Sequence, residues 1–153
     1  MFDAIQQFFD RMMSDDDQRR NQISVELASA AILCEVMRAD QTVAPEEVEV
    51  MKAALVRQFN LSAPDVNELM TLARQETDAA VDHYQFVRLL NDQLPQKDRF
   101  HLLCAMWQIA WADGELAPLE EARIRKLADL LFLSHSDFIR AKVQVQSQRD
   151  AAG

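Results

Sequence analysis

One stretch of this chain occurs twice, and that repetition limits the folds open to it. Residues 39–47 read Ala-Asp-Gln-Thr-Val-Ala-Pro-Glu-Glu, and residues 112–120, 73 positions further on, read Ala-Asp-Gly-Glu-Leu-Ala-Pro-Leu-Glu. The echo resumes at an offset of 72, with Leu61-Ser62 and Asp65 against Leu133-Ser134 and Asp137. Around both copies the apolar residues recur every three or four positions, as on a helix face, and no segment alternates with a period of two. Each half therefore reads as a long helix, an acidic turn, a second helix, a short capped turn and a third helix. The expected fold is all-α, an internally duplicated domain of about seven or eight helices, with residues 20–75 and 95–149 as repeats about a pseudo-two-fold axis.

The predicted helices span 2–13, 19–39, 45–59, 63–75, 79–92, 96–112, 118–132 and 135–149. Pro45, Pro64, Pro95 and Pro118 each stand where a helix can begin, since the first turn tolerates a residue without an N–H. Ser62 and Ser134, each with an Asp three residues on, fit N-caps. Residues 1–18 form an apolar first helix and an acidic linker (Ser14 to Asp17), residues 19–149 the single domain, and 150–153 a tail, with the polar stretch from Gln144 frayed. Leu27, Ala31, Cys34, Leu55, Phe86, Leu103, Met106, Ile109, Ile124, Leu127 and Leu131 are the predicted core.

Composition excludes several classes of function. The chain has 153 residues, only 2 of them glycine, which disfavours phosphate-cradling loops and folds rich in β-turns. A formal net charge of −9 disfavours nucleic acid and anionic membrane surfaces as partners and permits cations or basic protein faces. No apolar run is long enough to cross a membrane and no signal peptide opens the chain, so a cytoplasmic protein without a transmembrane segment is expected. Two cysteines, Cys34 and Cys104, sit on apolar faces and read as small buried hydrophobes. His83, His101 and His135 lack zinc spacing, Trp107 and Trp111 read as core and core edge, and no motif pairs a nucleophile with a base, so the chain is not expected to be an enzyme. Glu26 and Arg99, 73 residues apart, are candidates for an ion pair between the halves.

The acidic turns are the best candidate site. Much of the motif is helix punctuation: Gly114 can close a helix in the left-handed conformation, and a Glu at the third position of the next helix can cap a backbone N–H. The functional reading is a hard-cation site, with Asp40, Glu47, Asp113 and Glu120 as exposed carboxylates for Ca²⁺ or Mg²⁺. The spacing is not that of an EF-hand, because Pro118 and Ile124 stand where Gly and Glu would be required.

Ile109-Ala110-Trp111-Ala112-Asp113-Gly114, with Pro118, Glu120 and the aliphatic run to Leu133-Ser134, resembles the TerB-like family of bacterial tellurite-resistance proteins over about residues 20–142. The resemblance implies an internally duplicated helical fold and an acidic, metal-binding surface that falls on Asp40, Glu47, Asp113 and Glu120. It also implies a part in stress-response complexes at the inner face of the membrane, with a protein partner, and a kinship in fold with a domain of a DnaJ-like co-chaperone. Gln41 departs from the pattern where the glycine belongs. The expected function is a non-enzymatic accessory module that binds a divalent cation at the paired turns. The alternative is a metal-independent protein-interaction module.

Overall fold

A helix that is apolar on every side can be stable in water only at the centre of a protein. The segment from Val25 to Cys34 is such a helix apart from Glu26 and Ser29, and every one of its residues is buried. It belongs to α1 (Asp17–Met37) in a computed structural model that describes residues 17–39, 44–79, 84–112, 114 and 116–152, without the side chains of 17–24, 76–79 and 152. Six further helices follow: α2 (Pro45–Phe59), α3 (Ala63–Ala79), α4 (Tyr84–Gln93), α5 (Gln96–Ala110), α6 (Pro118–Leu130) and α7 (His135–Ala152). Among the described residues there is no strand, and the domain is all-α. The predicted helix 2–13 lies outside the described residues.

The packing runs in parallel in the two halves. α1 packs against α2 and α3, and α5 packs against α6 and α7. The halves meet where α1 and α5 touch, and each of these two also meets the second helix of the other half, α1 with α6 and α5 with α2. Glu35 and Gln108 mark these crossings. Arg123 of α6 donates to Glu35 at 2.9 Å, and Arg57 of α2 donates to Gln108 at 3.0 Å. α4 joins the halves and lies mainly on α1.

The core is continuous through both halves. Leu27, Ala31, Cys34, Leu55, Leu103, Met106, Ile109, Ile124, Leu127 and Leu131 are all buried as expected, whereas Phe86 is only half-buried. Trp107 is fully buried, with its ring centroid 5.5 Å from that of Trp111 and 5.0 Å from that of Phe138.

Local chemistry sets the helix ends. Pro45 and Pro118 are first residues of their helices, each after an extended alanine. Ser134 and Asp137 cap α7 reciprocally: the Asp137 N–H donates to Ser134 Oγ at 3.0 Å and the Ser134 N–H to an Asp137 oxygen at 3.2 Å. Hydrogen bonds from Ser134, together with Arg140, hold the Asp137 carboxyl below its usual range. α2 and α6 close with left-handed residues at corresponding places, Asn60 at φ 55 and Phe132 at φ 58. In α6 the closing bonds are Phe132 N–H to Asp129 O and Leu133 N–H to Ala128 O, the two bonds of a Schellman motif.

Two expectations are corrected. Glu26 and Arg99 do not pair. Arg99 instead donates to the carbonyls of Leu94 and Leu131, which lie past the ends of α4 and α6. An arginine beside two carbonyls left over at helix ends finds fixed, geometrically matched acceptors there. The tail is also not frayed from Gln144, since α7 runs to Ala152. Buried Val145 anchors this stretch and Arg149 donates to the Trp111 carbonyl.

Candidate functional site

The first acidic turn connects α1 to α2 and the second connects α5 to α6. In the second, Gly114 adopts φ +91 and its N–H donates to the Trp111 carbonyl at 2.9 Å. A β-carbon at Gly114 would meet nothing within 4 Å, so the glycine is required by backbone conformation and not by space. Asp40 and Asp113 lie outside the described residues.

Glu47 and Glu120 are placed differently from the sequence expectation. Both are buried, each 2% exposed, at the third position of α2 and α6. Glu47 Oε1 accepts the Ala44 N–H at 3.1 Å, which satisfies a donor that α2 leaves over at its start. Carboxylates at these positions are drawn inward because they close the turn and face the positive end of the helix. The exposed members of the acidic set are their neighbours. Glu46 is exposed, and half-buried Glu121 pairs with Lys142 at 3.2 Å. Among the described residues no group of three or more His, Cys, Asp or Glu side chains is disposed to hold a metal ion.

Two features escaped the sequence reading. The first is a buried polar spot on α1. Glu26 is 4% exposed, and both its Oε2 and the Ser29 hydroxyl are buried without a hydrogen-bond partner among the described residues. Burial, aided by the Asp65 carboxylate, pushes the Glu26 carboxyl up to about 7. The second is an open groove of about 330 Å³ between α2, α5 and α7, lined by Arg57, Gln58, His101, Cys104, Gln108 and Gln148. It runs on into a neighbouring depression of about 310 Å³ that shares Arg57, Gln108 and Gln148 and adds Val50, Ala53, Val145 and Arg149. The groove has no motif, because amide and small apolar side chains scattered over three helices look like any solvated face. Cys104 and His101 both line it, but burial pushes the thiol up to about 11, the reverse of an activated nucleophile.

The family sequence model described as Tellurite resistance protein TerB matches residues 26–143, from the buried stretch of α1 to the middle of α7. The chain belongs to the TerB family. That span contains both acidic turns, both left-handed helix ends, all of α5 and α1 from Glu26 onward. A solved structure with the same fold is that of a protein of unknown function, PG1108, from Porphyromonas gingivalis W83. It is 18% identical, covers 81% of this TerB-family chain and 95% of its own, and has a TM-score of 0.60. No curated protein gives a match. No helix of the described residues is long and apolar enough to cross a membrane.

Proposed function

We propose that this TerB-family chain is a non-catalytic interaction module of the tellurite-resistance and stress-response kind, acting on a protein partner in the cytoplasm or at the inner face of the membrane. Phe132 carries this reading. Its backbone sits at φ 58, a region that costs a bulky L-residue roughly 1–2 kcal/mol, and its ring is 75% exposed. The chain alone gains neither conformational ease nor burial from this side chain. At the corresponding place α2 uses Asn60, a residue suited to the left-handed conformation. A partner's apolar surface would bury the Phe132 ring, which is favourable by about 1.5–3 kcal/mol when complete. The high thiol pKa of Cys104 and the burial of Cys34 speak for a binding role over a redox one. A photo-crosslinking residue at position 132, in the full chain in living cells, should give a discrete protein adduct that the same residue at exposed Gln146 does not. No adduct at 132, or the same adducts from both positions, would overturn the reading.

Glu47 and Glu120 support a second reading, a divalent cation at the paired turns. Each is an acidic side chain fixed in the interior directly behind a turn that bears an Asp, so an oxygen donor group stands behind each turn. Calorimetric titration with Ca²⁺ and Mg²⁺ tests this. Binding should be seen in the parent protein and lost in Asp113→Asn with Glu120→Gln; equal binding in both excludes the turns.

A further inference from the structure

α4 stands before α5 in the chain, separated from it only by Leu94 and Pro95, yet it seats itself mainly on α1. Its seat lies beside the end of α6, where the Asn91 side chain donates to the Leu130 carbonyl at 3.0 Å. It buries Val87 and Leu90 there, with Phe86 and Leu89 packed against the core from the edge. In the order of the chain α1 corresponds to α5 and α2 to α6. The place on α5 that corresponds to this seat is beside the last turns of α2.

That place is the groove. Its wall is formed by Ala54, Arg57 and Gln58 from the second half of α2, with Gln144 and Gln148 of α7 opposite. Cys104 and Ala105 of α5 form its floor, and Ala53, Ala112 and Val145 continue it. Small side chains in the floor leave room for large ones from above. On α1 the corresponding seat is filled by α4; on α5 no described helix fills it.

We propose that residues 2–13 of this chain dock in the groove over α5, as α4 docks on α1. Three observations choose this occupant. The segment precedes α1 as α4 precedes α5, and residues 14–16 give a connection at least as long as the two residues that suffice for α4. At a single offset of 77 its side chains match α4 in part, with Phe9, Arg11, Met12 and Met13 against Phe86, Arg88, Leu89 and Leu90, and Asp10 standing where α4 has Val87. Its charge is complementary to two residues of the rim: Asp3 and Asp10 outweigh its one arginine, while Arg57 and Arg149 flank the groove, whose lining also includes Asp98. A docked segment would cover Cys104 and turn its large apolar side chains onto the alanine floor.

A nitroxide on Gln7→Cys, in the full chain carrying Cys104→Ala, tests the docking by its broadening of backbone amide signals in magnetic resonance. The amides of Ala54, Ala105, Gln108 and Gln148 should lose most of their intensity. They should recover when Phe8→Asp and Phe9→Asp are added. A second measurement leaves the groove intact: Cys104 of the otherwise unaltered chain should be alkylated several-fold faster once Phe8→Asp and Phe9→Asp are present. Full amide intensity along the groove with the label in place overturns the proposal, and so does broadening centred on another face. Groove broadening that arises only between labelled and unlabelled chains assigns the segment to a second copy and equally overturns it.

Discussion

Replacing Glu26 by glutamine should make this protein more stable above neutral pH and leave it almost unchanged in acid. The glutamate is on the all-buried stretch of α1, 4% exposed, with one carboxylate oxygen lacking a hydrogen-bond partner among the described residues and with Asp65 near enough to repel its charge. Its carboxyl is raised from 4.5 to about 7. Below pH 4.5 the group is protonated in both the folded and the unfolded chain, and its burial carries no charge penalty. As pH rises from 4.5 to 7 the unfolded chain releases the proton while the folded one keeps it, so stability falls. Above 7 the loss is complete, and a gap of that size corresponds to about 3 kcal/mol at 1.36 kcal/mol per unit. Glutamine keeps the shape and removes the charge. Urea denaturation at pH 4.5 and pH 8 reads the effect: the variant should exceed its parent by up to about 3 kcal/mol at pH 8 and by only a small fraction of that at pH 4.5. For a domain of this size the pH 8 gain is a melting temperature higher by roughly 6–12 °C. The same difference between variant and parent at both pH values would refute the reasoning, because then the carboxyl carries no folding-linked proton.

Three further outcomes follow from the geometry. Phe132→Asn should stabilise the isolated protein by about 1 kcal/mol through relief of the left-handed strain; a loss in thermal or urea melts would show that the ring packs within the chain. Arg99→Met leaves the Leu94 and Leu131 carbonyls without their charged donor and should cost about 2–3 kcal/mol, whereas a loss below roughly 0.5 kcal/mol would mean water replaces the side chain freely. Leu103→Ala, at a fully buried position of α5, should cost roughly 2–5 kcal/mol in the same denaturation assay, and a smaller loss would show that the core closes over the cavity.

The fold was legible where the signal is local. Helical periodicity located the helices within a few residues, and the capping pair of Ser134 and Asp137 formed as its spacing required. The boundary before α4 was misplaced, since Ala79, expected to open that helix, belongs to α3, and the mixed run Glu76 to Asp82 suits a helix end and a helix start equally. The site was less legible because burial depends on which faces meet. A Glu at the third position of a helix reads the same whether it turns to solvent or closes the turn behind it, and Glu47 and Glu120 turn inward. The repeat offset singled out Glu26 and Arg99 correctly as unusual, but position in a repeat says nothing about partners. Arg99 found carbonyls released by two helix ends, which no pattern of side chains announces.

The burial of α1 has a consequence for how the chain is made. Its buried stretch is covered by α4, α5 and α6, all of which are synthesised later. From the end of α1 at Met37 to the end of α5 at Ala110 the ribosome adds about 73 residues, which takes roughly 4–15 s at ordinary translation speeds. Until then this fully buried segment stands in the nascent chain without its cover from α5. It is then a ready target for chaperones or for self-association, and the joining of the halves, which requires contacts far apart in sequence, is expected to limit the rate of folding.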